Sequence, residues 1–343
     1  MNLLLLIILS VLKITLVLVA FLTAIAYTVL MERKVLGFIQ LRYGPNRVGP
    51  WGLLQPVADL LKLLFKEDFT PPGVNKVLFT MAPIITAVTA FLPFAVIPFA
   101  KDILPAQLTI YGQTVDLTTA GLNQGVIADI NVGLLYVFAM GSLAVYGAVL
   151  GGWASNNKYS LLGGLRLAAQ MVSYELALGL SIIGVLMLAG SLSLVKIVEA
   201  QKCMWFIAYQ PLGFFLFLIA AFAECARTPF DLIECENELV AGFQTEYSSM
   251  KWALFMLGEY CHIIVASALA TTLFLGGWQG PFLPPIVWFM LKTFALVFFF
   301  IWIRGTFPRL RFDQLMQLGW KVLLPLTLAN IVVTGMVILF LKR

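Results

Sequence analysis

Asp231, Glu234, Glu236, Glu238 and Glu246 stand within the seventeen residues DLIECENELVAGFQTEY. Asp231, Glu234 and Glu238 fall at i, i+3 and i+7, one face of a helix; Glu234, Glu236 and Glu238 would instead share one face of an extended segment. Either conformation makes several carboxylates neighbours. Like charges held close and partly buried raise one another's pKa and titrate as a coupled set, which is what a proton relay or a charge-coupled switch requires. The competing reading is a solvated loop neutralised by Arg227, Lys251 and nearby cations. Spacing alone leaves both open.

Four further ionisable residues lie in apolar surroundings. Glu175, in AAQMVSYELALGL, and Glu259, in LFMLGEYCHII, each have long apolar flanks, and an ionisable group in such a setting is a functional candidate by default. The alternative for Glu175 is an acid at a helix end that reaches interfacial water. Lys292 stands about nine residues into an apolar run, too deep to reach either interface easily, and calls for a buried acidic or carbonyl partner. Its alternative is a helix-packing contact with no part in transport; Lys13 has the same ambiguity. The four cysteines, Cys203, Cys225, Cys235 and Cys261, show no CxxC spacing, and His262 is the single histidine. That pattern argues against a zinc, haem or iron-sulfur site within the chain, so any redox cofactor is expected on other chains.

These residues sit in a sequence of 343 positions that is 61% hydrophobic and only 11% charged, with a mean hydropathy of +0.96. Repeated apolar runs of about twenty residues are the length of a transmembrane helix. At roughly 2.5–3.5 kcal/mol per acid at a lipid-exposed helix centre, five acids would add about 12–18 kcal/mol to insertion. The acidic stretch must therefore face water or protein. The apolar runs predict eight spans near 3–30, 77–99, 126–150, 168–190, 209–224, 251–275, 284–303 and 322–341. The first is too long for a signal-peptide core and is expected to be retained. Fifteen of the twenty-two Lys and Arg residues fall in the loops after odd-numbered spans, which places those loops inside and both termini outside. The acids follow the same side, so the inner face carries both signs, as ion pairing, a docked partner or a polar path inward would require.

The expectation is an all-α polytopic membrane protein of about eight transmembrane helices forming one membrane domain over residues 1–343. Its charged inner loops lie near 31–76, 151–167, 225–250 and 304–321. The first of these contains WGLLQPVADLLKLLFKEDF. Gln55, Asp59, Lys62 and Lys66 recur at steps of four, three and four, opposite Leu53, Val57, Leu60, Leu61 and Leu64. Pro56 can start this helix, which is too short and charged to span and is expected to lie along the headgroups. The alternative is packing on a soluble partner. The preceding RYGPNRVGPWG is a turn-forming connector whose arginines can hold carboxylates or anionic headgroups.

Four blocks then match a known family: MERKVLGFIQLRYGPNRVGPWGLLQPVADLLKLLFKE at 31–67, DINVGLLYVFAMGSLAVYGAVLGGWASNNKYSLLGGLRLAAQMVSYE at 129–175, AECARTPFDLIECENELVAGFQTEY at 223–247, and RGTFPRLRFDQLMQLGWKVLLPL at 304–326. In order and over nearly the whole chain they resemble the H-type membrane subunits of respiratory complex I, the proton-pumping NADH-quinone oxidoreductase, whose mitochondrial counterpart is subunit 1. Asn157, Asn237, Gln244 and Cys235 depart from the usual residues of that family.

The resemblance implies a protein that joins the hydrophilic arm to the membrane arm and walls the lower part of a quinone chamber. It implies quinone as substrate, no cofactor held by this chain alone, and iron-sulfur clusters and FMN on partner subunits. Arg33, Gln40, Arg42, Asp59 and Phe255 match positions of the quinone path. Glu175, Glu224, Asp231, Glu234, Glu236, Glu238, Glu246 and Glu259 match the acidic loop and the start of the proton-conducting axis, and Lys292 joins them as an intramembrane cation. The implied partners are the hydrophilic quinone-site subunits, antiporter-like membrane subunits and the bilayer, with no nucleic acid. The implied place is a bacterial cytoplasmic membrane in preference to a mitochondrial inner membrane. Two other functions suit parts of the same pattern: the membrane anchor of an energy-converting hydrogenase, which binds no quinone, and a stand-alone proton or ion transporter. There is no clear internal repeat, and the ionic inner face is large for a solitary carrier.

Overall fold

The computed structural model describes residues 3–101, 107–110, 113–116, 125–232 and 236–341. Its long helices follow the apolar runs. They are α1 (Leu3–Ile39), α3 (Lys76–Phe91), α4 (Gly133–Ala154), α5 (Lys158–Ala189), α10 (Ser249–Phe274), α11 (Pro285–Thr306) and α13 (Leu324–Leu341), with the short α2 (Gln55–Phe65), α6 (Leu194–Ala200), α7 (Phe206–Tyr209), α8 (Pro211–Glu224), α9 (Glu236–Leu239) and α12 (Phe312–Gln317) between them. A π-helical turn, Leu318–Leu323, fuses α12 to α13. Two short antiparallel strands, β1 (Gln107–Ile110) and β2 (Gln113–Asp116), pair between α3 and α4. The spanning architecture is all-helical.

Among the described residues, seven helices are long and apolar enough to cross a membrane. The fifth expected span is the exception. Its run folds as α8, only 14 residues, or about 21 Å at 1.5 Å per residue against roughly 30 Å of hydrocarbon. Gln210 and Pro211 break the run, so α7 takes its outer end. The structure also moves the second inner loop. Residues 151–167 are helical except at 155–157, because Asn157 caps α5 by accepting from the Tyr159 N–H at 3.0 Å and so starts that helix ten residues earlier than hydropathy suggests. The last span likewise begins at Phe312.

The helices pack in succession: α11 on α10, α10 on α3, α3 on α4, α4 on α5, and α5 on both α8 and α13, with α1 laid against α10 and α11. Close approach of α3 and α4 depends on Gly147, where an added Cβ would sit 2.0 Å from the Thr86 hydroxyl. The main apolar core runs through the bundle. A second, smaller core of Phe79, Phe243, Tyr247 and Phe255 lies toward the ends of α3, α4, α5 and α10 that carry the inner loops. None of α2 is buried; Val57, Leu60, Leu61 and Leu64 are each about half exposed, the apolar face an interfacial helix presents to lipid.

Candidate functional site

The segment after α8 joins all the inner-side elements. It is seated by Gln170 of α5, whose amide donates to the carbonyls of Ala223 at 2.7 Å and Phe230 at 3.0 Å. It passes close to α5 at Gly163, where a Cβ would meet Gly242 at 2.6 Å. Beyond these braces its acids reach separate elements. Asp231, whose side chain is only 4% exposed, pairs with Arg309 at 3.2 Å; Glu238 pairs with Arg166 of α5; Glu246 accepts from the Asn157 amide at 2.7 Å. The 31–76 region is held by Lys251 to Asp68 at 2.9 Å and by Ser249 to the Leu63 carbonyl at 3.0 Å. The Leu310 N–H donates to Pro229 O at 3.0 Å, tying in the fourth loop.

This corrects the expected shared face. The helix there is a single turn, Glu236–Leu239; Asp231 lies before it, and Asp231 and Glu238 point to different partners because each is drawn by a cation of a different element, Arg309 in the fourth loop and Arg166 on α5. Glu234 lies outside the described residues, as do the side chain of Glu236 and the whole of Cys235.

Above this segment, carboxylates continue into the bundle. Glu259 of α10 accepts from the Gln244 amide at 2.6 Å and faces the Arg227 guanidinium at 3.5 Å. Arg227 is 5% exposed and stacks over the Tyr260 ring at 4.5 Å. Tyr260 in turn lies within electrostatic reach of the Glu32–Arg304 pair, which ties α1 to α11. Glu224 ends α8 and meets α4 at Gly141; next to it on α4, Ser142 donates to Glu175 of α5, and the two carboxylates are close enough to interact. Two small cavities separate these groups, of about 30 and 40 Å³, both lined by Glu224, Cys225 and His262. Glu259 and Phe255 line the one nearer the inner loops.

The residues matched to a quinone path form two groups. Arg33 of α1 and Asp59 of α2 pair at 2.6 Å, with Gln55 donating to the other Asp59 oxygen at 3.0 Å; this fixes α2 across the end of α1. Just beyond, Arg42 donates to Gln40 at 2.7 Å. Phe255 is elsewhere, fully buried edge-on to Phe243 and Tyr247. Burial pushes the Tyr247 phenol up, so it remains a neutral donor toward the Gly151 carbonyl.

Lys292 joins none of these acids. Its ammonium donates to the carbonyls of Leu275 (2.6 Å), Gly277 (3.1 Å) and Gln279 (2.6 Å), just past the far end of α10, and sits 4.2 Å from the Trp205 ring centroid. The carbonyl partner expected from sequence is present; the acidic path is at the other end of the helix. Sequence reading gives Arg227 only a neutralising part and His262 none. Two signals point to them: Arg227 is the lone cation between Lys202 and Lys251, and His262 follows Glu259 by three residues, on the same helical face. Among the described residues no group of His, Cys, Asp and Glu is arranged to hold a metal.

A row of apolar helices with one ionic end and carboxylates among the helices beyond it defines a polytopic membrane protein. The family model for NADH dehydrogenase matches residues 12–335. The NADH-quinone oxidoreductase H 2 subunit of Geobacter sulfurreducens is 60% identical over 96% of each chain. The H 2 subunit of Syntrophobacter fumaroxidans is 55% identical over 96% of each, and the H subunit of Dehalococcoides mccartyi is 52% identical over 90% of this chain and 81% of its own. The chain belongs to the family of NADH-quinone oxidoreductase H subunits.

Proposed function

We propose that this chain is the membrane subunit of a proton-pumping NADH-quinone oxidoreductase in a bacterial cytoplasmic membrane, where it forms part of the quinone chamber and the first stretch of the coupling path. It is inactive in redox chemistry alone; the flavin and iron-sulfur clusters belong to partner subunits, and antiporter-like subunits receive the coupling signal. The observation that carries this reading is the continuity from inner loops to bundle interior. Asp231, Glu238 and Glu246 fix the loop, and Glu259, Glu224 and Glu175 carry carboxylates inward from it.

In the proposed sequence, quinone reaches the surface held by Arg33, Asp59, Gln40 and Arg42, with Phe255 packing the wall behind the loop. Reduction of the headgroup changes charge near Arg227 and Glu259. Removing or adding one charge beside a buried, coupled set shifts proton affinity along it. Glu234 and Glu236 are assigned to the same loop set from the family match. Lys292, held by carbonyls at the opposite end, we assign to anchoring and not to the path.

The test is Glu259→Gln in membrane vesicles with the assembled complex. We expect NADH-to-quinone turnover and the proton gradient to fall together by at least about tenfold, while NADH oxidation by an artificial acceptor persists. Unchanged turnover and pumping would reduce Glu259 to a structural anion. Proton transport by the purified chain alone in liposomes would favour the stand-alone transporter, and wild-type membranes without NADH-to-quinone activity would favour the hydrogenase anchor.

A further inference from the structure

His262 sits one turn beyond Glu259 on α10, inside the bundle. It lines both cavities, as do Glu224 and Cys225, so these three residues stand between them. The cavity nearer the loops is bounded by Glu259, Phe243 and Ala226; the deeper one is bounded by apolar residues such as Val137, Leu178 and Phe217. Among the described residues, no hydrogen bond to another side chain or to the backbone engages the His262 ring or the Glu224 carboxylate. Both side chains are half-buried and open onto the cavities, where ordered water is the partner that such enclosed polar groups find when protein supplies none. A cavity needs about 10–15 Å³ on this measure for one water and two or more polar groups to hold it. Volumes of about 30 and 40 Å³ satisfy the first condition; His262 and Glu224 satisfy the second in both cavities, joined by Glu259 in the one nearer the loops.

From this we infer that His262 is a proton-transfer residue, exchanging its proton with Glu259 and Glu224 through water held in the two cavities. Imidazole is suited to the position because it has two ring nitrogens, one accepting while the other donates. A proton arriving at one nitrogen from the Glu259 side leaves from the other toward Glu224 and on to Glu175. The ring ends as the opposite neutral tautomer and resets by rotation. No net proton is gained or lost, and no co-reactant is needed. The groups facing this segment come from four elements: Glu175 on α5, Glu224 on α8, Cys225 and Arg227 just after it, and Glu259 with Tyr260 on α10.

The inference rests on the coupling role proposed above, so its test runs His262→Asn and Glu259→Gln side by side in vesicles with the assembled complex. Asparagine keeps a donor and an acceptor for water but cannot pass a proton from one nitrogen to another; His262→Gln serves as a second variant should the first fail to assemble. The readouts are artificial-acceptor activity, quinone turnover, proton gradient and the solvent deuterium isotope effect on turnover. We expect His262→Asn to retain artificial-acceptor activity, lose about tenfold in coupled turnover and show a larger isotope effect than wild type. A structural role would leave the isotope effect unmoved. If Glu259→Gln abolishes coupling while both His262 variants keep wild-type turnover, gradient and isotope effect, His262 only lines the cavities and this inference fails while the coupling reading stands. If Glu259→Gln is also silent, the coupling reading itself is lost.

Discussion

The two ends of the bundle solve the same electrostatic problem differently. At the inner end, six ion pairs among the described residues cross between separate elements: Arg33–Asp59, Lys251–Asp68, Arg166–Glu238, Arg227–Glu259, Arg304–Glu32 and Arg309–Asp231. At the outer end the described residues show one such pair, Lys101–Glu199 at 3.1 Å, and the buried cation there, Lys292, is held by three carbonyls and an indole face. Backbone carbonyls cannot change charge, so the partners of Lys292 are fixed once folded. Carboxylates can, so each inner pair is a contact whose strength depends on protonation and on what charge approaches it. The difference separates an anchor from a switchable set.

The largest effect should come from breaking the anchor. Lys292→Met removes the cation and leaves the carbonyls past α10 without their donor. Each buried acceptor left unsatisfied typically costs about 1–3 kcal/mol; here three carbonyls lose their donor at once and Trp205 loses its cation as well. We expect the amount of assembled complex in membranes to drop by more than tenfold on a native gel, while activity per assembled complex stays near wild type. Coupling lost with assembly intact would move Lys292 into the proton path and erase the contrast between the ends.

A buried inner pair should matter less. Asp231→Asn removes a carboxylate that is 4% exposed, but its partner Arg309 is 42% exposed and can turn to water. The expected loss is about 1–3 kcal/mol, read as a lower unfolding temperature of the complex and as cleavage of the 225–250 segment at lower protease concentration. Turnover of the intact fraction should change less than with Glu259→Gln.

How much of this arrangement the sequence revealed follows from which forces set it. Hydrophobic run length marks where helices lie, because an apolar span must match the bilayer; the α2 face likewise follows from i, i+3, i+4 spacing of Val57, Leu60, Leu61 and Leu64. Composition therefore exposes the ionic side and the acidic cluster. It misplaces boundaries where a local cap wins, as at Asn157, and overstates α8, whose run is interrupted at Gln210 and Pro211. Pairings are less legible still. Nothing in the spacing of Asp231 and Glu238 shows that Arg309 and Arg166, 78 and 72 residues away, would draw them apart. Likewise, His262 reads as a lone histidine in an apolar helix until α4, α5 and α8 close cavities around it.

Exposed pairs should give smaller effects. Arg33 and Asp59 are 48% and 30% exposed, and pairs of this kind contribute at most about 1 kcal/mol. If their work is to position α2 and the quinone headgroup, Asp59→Asn should raise the quinone KM by about two- to fivefold, with kcat altered less. A fall in kcat at unchanged KM would place Asp59 in the proton-coupled step instead.

The smallest effect is expected at Glu238, although it belongs to the segment that first draws the eye. Its carboxylate is 46% exposed and its partner Arg166 31% exposed, and Gln can still accept a hydrogen bond from the guanidinium. Water and salt already screen this contact, so Glu238→Gln should lower coupled turnover by less than about twofold. Raising ionic strength should narrow the gap between variant and wild type, since it weakens the pair in the wild type alone. An effect as large as that of Glu259→Gln, and insensitive to salt, would show that Glu238 leaves Arg166 during turnover and acts from a more enclosed position. The boundary between fixed and switchable charge would then fall inside the acidic segment itself, with its outer carboxylates belonging to the moving set.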